Sequence, residues 1–233
     1  MRVMGFLIVV IVLPLMAWAI LAGVAWIRYG RHRPVRLDES DPLLDEFMAG
    51  YEVAERSYTH VDAPMELTFA AAAGLDLAQS GIVRGIFRGR ELLLGSPSVR
   101  SVLPKALFEW AKALGWGVLA EVPGREIVFG AVTRPWEPNL VLRRVPAEEF
   151  AAFREPGYVK IVWTLRADAI TVFRSIARTE TRVATTDAAA RAKFRLYWAF
   201  LSPGIVLIRL VALGMVKREA ERNARRERRV ATV

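Results

Sequence analysis

Cysteine is absent from all 233 positions, which excludes disulfides and cysteine-ligated metal and removes any marker of redox compartment. Histidine occurs only as His32 and His60, too few and too far apart for a histidine metal site. With one histidine in the body of the chain, no Ser/His/Asp set assembles. A phosphate-binding loop is missing too: GIVRGIFRGRE has glycines but lacks the required lysine and the preceding strand. These absences leave no cofactor and no metal to expect.

The body also lacks a net charge. The chain carries +9, but residues 1–36 hold five arginines and no acid, and residues 217–229 hold seven bases and three acids, so residues 37–216 are neutral overall. A nucleic-acid partner calls for a basic face on the folded domain, so none is expected. Two basic ends suit anionic lipid headgroups, each base near the surface contributing roughly 1 kcal/mol.

What the chain has in excess is apolar residues, 54% of the total. Val3 to Ile27 runs without a charge, longer than the about 20 residues a spanning helix needs. In lipid the backbone must satisfy its own hydrogen bonds, so the run is expected to be helical, with a kink available at Pro14 and with Trp26 and Tyr29 at an interface. RYGRHRPVR follows and reads as an anchor stop. By the positive-inside rule the carboxyl side faces the cytoplasm. The alternative is an exported protein whose signal peptide is cleaved near Ala17-Trp18-Ala19. The expected organisation is an anchor with its basic flank over 1–36, an acidic linker over 37–50, a domain over 51–216 and a basic helical tail over 217–233.

Inside the domain the hydrophobic period changes along the chain. Tyr51 to His60 reads as a strand. A helix follows, with Asp62, Pro64 and Glu66 at its start and Gly74 at its end. Leu103, Leu107, Trp110, Ala111 and Leu114 recur at helical spacing up to Gly115. WGVLAEVPGREIVFGAV is a hairpin turning at Pro123-Gly124. Tyr158 to Leu165 alternates, Ala169 to Phe173 and Arg174 to Ala184 read as one or two more strands, and Asp187 caps a long helix bearing Phe194, Tyr197, Trp198 and Leu201. A second membrane span over Phe194 to Val216 is the weaker alternative, because Arg195, Pro203 and Arg209 interrupt it. Strands followed by a closing aromatic helix make an α+β class.

Several strings carry a resemblance: AEEFAAFREPGYVKIVW, TETRVATTDAAARAKFRLYW, PGREIVFG, the PW at Pro135-Trp136, and PGIVLIRLVAL. Together they resemble a bacterial branch of the START/Bet v 1-like, helix-grip superfamily (SRPBCC), over roughly residues 50 to 220. The resemblance implies an α+β helix-grip fold, in which an antiparallel sheet wraps on a long C-terminal helix, here preceded by one transmembrane helix. It implies a cavity between sheet and helix and hands over no catalytic residue.

On that expectation the cavity candidates are Trp116, Phe129, Trp136, Trp163, Tyr197 and Trp198, each of which also reads as ordinary core. The buried polar candidates are Glu126, Glu180, Arg182 and Arg209. Arg178, Glu180 and Arg182 share one strand face, either solvated or turned inward. Arg209 is the single charge in IVLIRLVALGMV, with Glu180 or Glu126 as its expected partner. The expected function is a membrane-tethered domain binding a hydrophobic or amphipathic, lipid-like small molecule. The alternatives are a cyclase or dehydratase-like enzyme using Glu126, Asp168 or Glu180 as acid or base, and an unliganded interaction module at the membrane.

Overall fold

A computed structural model describes residues 12–31, 40–95 and 106–230. The first element is the helix α1, Leu13–Arg28, whose sixteen residues carry no charge before Arg28. Pro14 lies in its first turn, where a missing N–H removes no helical hydrogen bond. Residues 3–11 of the apolar run lie outside the described residues.

The acidic stretch expected to be a linker contains a helix, α2, Pro42–Met48. Asp41 accepts from the Leu44 amide at 3.0 Å and Pro42 opens the first turn. Leu44 and Met48, four residues apart, are buried. The segment is therefore part of the domain.

β1 (Val53–Val61) leads to α3 (Met65–Ala73), which Gly74 terminates. A short 3₁₀ turn precedes α4 (Gly81–Leu94), which Ser80 caps through the Val83 amide. α5 (Leu107–Leu114) ends at Gly115, in the left-handed region at φ +106°. A Cβ there would come within 2.5 Å of the Leu142 carbonyl oxygen, so both conformation and space demand glycine. β2 (Gly117–Val122) and β3 (Glu126–Thr133) form the expected hairpin. LVLRRV adds only one bridge, Arg143 to Val132. A single turn, α6 (Ala147–Phe150), precedes β4 (Val159–Thr171) and β5 (Arg174–Thr185). The helix α7, Ala188–Val230, then runs unbroken through Pro203.

The five strands form an antiparallel sheet in the order β1-β5-β4-β3-β2, the first strand lying beside the last. α7 crosses one face together with α3 and α5. Ile127, Phe129, Leu165, Ala167 and Ala177 meet Leu213, Val216, Ala220 and Ala224 there. Ala220 and Ala224 lie in the segment expected to be a tail, so α7's basic end belongs to the packed helix. On the other face, Val128, Val132 and Val162 pack under Leu44, Met48 and Phe150. The architecture is α+β: a five-stranded antiparallel sheet with a long C-terminal helix.

α1 is fastened along α7. The Trp18 indole donates to the Phe200 carbonyl at 3.0 Å, Arg195 donates to the Trp26 carbonyl at 3.1 Å, and Tyr29 packs on Phe194. The amide of Gly30 then bonds Glu52 at the start of β1. Leu15, Ile20 and Leu21 of α1 stay exposed, as do Leu196, Phe200, Leu207 and Leu210 of α7, so the two helices share an open apolar layer. By length and composition α7 is also long and apolar enough to cross a membrane, although part of its apolar stretch is buried on the sheet.

Candidate functional site

The six aromatic candidates fall into two groups, one on the sheet and one at the start of α7. Phe129 is fully buried and stacks on Trp163 with centroids 4.6 Å apart; Trp163 meets Trp116 edge-on at 6.0 Å. Towards the start of α7, Tyr197 and Trp198 both lie 5.9 Å from Phe194, and Trp136 lies under the Lys193 ammonium. None of the six lines the cleft described below. Between sheet and terminal helix, Phe129 and Trp198 are buried, while Trp116, Trp136, Trp163 and Tyr197 are half-buried.

Of the two expectations for the charged strand face the inward one fits Glu180 and Arg182, which are buried and paired with each other. Arg178, Glu180 and Arg182 pair in register with Arg166, Thr164 and Val162 of β4, on the sheet face away from α7. α2 covers that face over Glu180 and Arg182. Arg182 is 1% exposed and Glu180 6%. Glu180 accepts from Arg56 at 2.8 and 2.7 Å and from Arg182 Nε at 2.6 Å. The other end of the Arg182 guanidinium donates to Asp45 and, at 2.8 Å, to the Met48 carbonyl. A charge-assisted network thus pins the second half of α2 to β5.

Arg209 is buried, as expected, but neither Glu180 nor Glu126 is its hydrogen-bond partner. It donates to the Glu55 carbonyl oxygen and to Thr181 Oγ1 at 2.7 Å. Thr181 faces α7 while Glu180, one residue earlier, faces α2; strand parity separates the two charges. Neutral acceptors thus meet the guanidinium's donors.

Glu126 is buried beside Asp41, and both are 5% exposed. Burial, then the Asp41 charge and hydrogen bond, push the Glu126 carboxyl up to about 8, against the pull of Arg166 and Arg125. Its Oε1 has no hydrogen-bond partner among the described residues. Asp41 caps α2, so this carboxyl pair sits where the helix begins.

An open cleft lies on this same face. A cleft of about 510 Å³ separates the end of α2 and the turn after it from the segment following α6, above the ends of β4 and β5. Phe47, Met48, Phe153 and Ala184 supply apolar wall. Asp45, Glu46, Glu52, Arg154 and Lys160 are its charged members. Asp45 is engaged by Arg182, and Glu52 accepts from the Thr185 amide and hydroxyl at 2.7 Å each.

Lys160 differs from these. It is 5% exposed, donates to the Ala151 carbonyl at 2.9 Å, and lies 5.2 Å from the Phe150 ring centre. No carboxylate comes within 4.0 Å of its amine among the described residues. Burial, with a smaller contribution from Arg154, pushes the ammonium down to about 8. Lys160 was not among the candidates read from the sequence; its signal is a lone lysine two residues from Val162, on a strand face that proves to be covered.

No family model matches the chain, and a search of curated proteins finds no match.

Proposed function

We propose that this is a membrane-seated helix-grip domain of the SRPBCC kind that holds an amphipathic, acid-headed small molecule in the α2–α6 cleft. The single observation that carries the binding assignment is the buried Lys160 amine in the wall of a 510 Å³ cleft, without a carboxylate beside it. A buried charge lacking a partner is costly, and an acidic headgroup supplies the partner. Phe47, Met48 and Phe153 offer the apolar surface for the rest of the molecule. The placement of β1 beside β5, with the terminal helix across the sheet, supports the helix-grip assignment. The open apolar layer of α1 and α7 supports seating in lipid, and the arginines after α1 favour the cytoplasmic side.

Native mass spectrometry of the full chain, extracted gently from its own membrane, tests the ligand. The natural chain should carry an acidic amphiphile that Lys160→Met loses while keeping its near-ultraviolet circular dichroism. A folded natural chain that carries no such molecule, and whose thermal midpoint does not respond to added oleate, overturns the binding assignment. Labelling Ser40→Cys in intact cells with an impermeant maleimide tests sidedness; modification from outside overturns the cytoplasmic assignment.

The contact of Trp116, Trp163 and Phe129 with one another between sheet and α7 favours one second reading, an unliganded interaction module at the membrane. The same spectrum separates the two. Glu126, Asp168 and Glu180, the acid or base candidates for a cyclase or dehydratase, do not line this cleft.

A further inference from the structure

The hairpin joining β4 to β5 is made of the wrong residues for a solvent loop. Two residues, Val172 and Phe173, link Thr171 to Arg174. Tight turns in water favour Gly, Asn, Asp, Pro and Ser. Here Val172 is 77% exposed, Phe173 60% and Ile170 45%. This tip and the end of α1, which is tied to the first residues before β1, lie at opposite ends of the sheet.

A basic surface lies beside the tip. The Arg228 guanidinium is 5.6 Å from the Phe173 ring centre and donates to the Asp62 carbonyl at 3.4 Å, which places the end of α7 next to the hairpin. Arg174 pairs with Asp62 at 3.1 Å. Arg218, Arg222, Arg225, Arg226, Arg228 and Arg229 are all exposed on this last part of α7. Glu219 is taken by Arg222 and Glu221 by Lys217. Arg218, Arg225, Arg226 and Arg229 have no carboxylate within 4.0 Å among the described residues.

We propose that the β4–β5 tip is a second membrane contact: Ile170, Val172 and Phe173 enter an anionic bilayer surface below its headgroups, while the arginines of α7's end bind the headgroup phosphates. Three apolar side chains on one hairpin are far too little surface for a stable protein interface, which buries about 800 Å² per partner. A bilayer accepts side chains one by one, and adds electrostatic attraction for each nearby base. Arginine on the Phe173 face joins the two parts, keeping a charge at headgroup depth directly above the inserted ring. With the α1–α7 layer, the tip gives the domain two points of attachment, and so fixes its tilt on the surface. This contact stands independently of the cleft and its ligand.

The cysteine-free chain makes the test direct. A single Val172→Cys is labelled with an environment-sensitive fluorophore in the full chain, reconstituted into vesicles of phosphatidylcholine alone or mixed with phosphatidylglycerol. Glu148→Cys, exposed on α6, serves as the control position. With phosphatidylglycerol, the label at 172 should shift to the blue and be quenched several-fold by spin-labelled acyl chains, and the control should not. Raised salt, or the Arg225→Glu, Arg226→Glu, Arg229→Glu combination, should remove most of that quenching. A label at 172 that stays in water in both lipids overturns the proposal. So does quenching that is indifferent to lipid charge, salt and charge reversal, or shielding that follows the protein-to-lipid ratio, which marks contact with a second copy.

Discussion

Replacing Glu126 by glutamine should stabilise the protein, and should do so only at higher pH. The folded carboxyl holds its proton up to about 8, while in the unfolded chain it ionises near 4.5. Between those values the folded state binds a proton that the unfolded state has released. Stability therefore falls as pH rises through the window, is unaffected by this group below it, and carries the full loss above it. At 1.36 kcal/mol per pH unit, the ceiling is roughly 5 kcal/mol. The structure relaxes around the ionised Glu126, so the gap to expect is about 2–3 kcal/mol. The glutamine keeps the shape and can still donate to Asp41, which is what the protonated acid does.

The measurement is a denaturant midpoint by tryptophan fluorescence, on the full chain in one detergent, at a series of pH values from about 5 to about 9. The natural chain and Glu126→Gln should coincide at the acid end and separate progressively towards the alkaline end, with the variant the more stable. Parallel curves over the whole range would mean that Glu126 is already ionised in the fold. A variant less stable at every pH would mean that the side chain is held by its charge, through Arg166 and Arg125.

Three further outcomes follow from the packing. Arg182→Met breaks a buried ion pair and should cost about 3 kcal/mol, with amide hydrogen exchange rising first in Pro42–Met48 and not in α7. Arg209→Met should couple to Thr181→Val but add to Glu180→Gln within about 0.5 kcal/mol in double-mutant cycles on stability. Gly130→Ala would drive a Cβ into Leu119 and place it 2.9 Å from Phe150, and should cost about 1–3 kcal/mol by thermal melting.

Local signals carried most of the fold into view. The period of two at β4, the Pro123-Gly124 turn and the Gly115 stop each act over a few residues, and each marks an element boundary or type that the structure contains. The faces of the strands were legible as alternation but not as inside and outside. Deciding that needed α2, and LDESDPLLDEFMAG looks like a linker by composition because five of its fourteen residues are acidic. Its Asp41-Pro42 start and the four-residue spacing of Leu44 and Met48 were present, in a helix too short to stand out. The cleft was beyond local reading altogether. It arises where α2, α6 and the ends of two strands meet, across more than a hundred residues of chain. Lys160 looks ordinary until those neighbours cover it.

The two faces of the sheet are sealed by different physics. Under α7 the seal is aromatic and aliphatic, with one arginine satisfied by neutral oxygens, so pH between about 5 and 9 should change little there. Under α2 the seal combines two apolar side chains with Arg182, Asp45, Glu180, Arg56 and the Asp41–Glu126 pair. Buried ion pairs are weak evidence for stability, since apolar residues of similar volume often do as well or better. What they do provide is dependence on conditions. Deprotonating Glu126 places a buried negative charge beside Asp41 at the start of α2, while Arg182 holds Asp45 and the Met48 carbonyl near its end. The cleft wall is built from Asp45 to Glu52, the second half of α2 and the turn after it. A change in how firmly α2 sits is therefore a change in the shape of the cleft, and its response to pH should be read in ligand retention before it is seen in global unfolding.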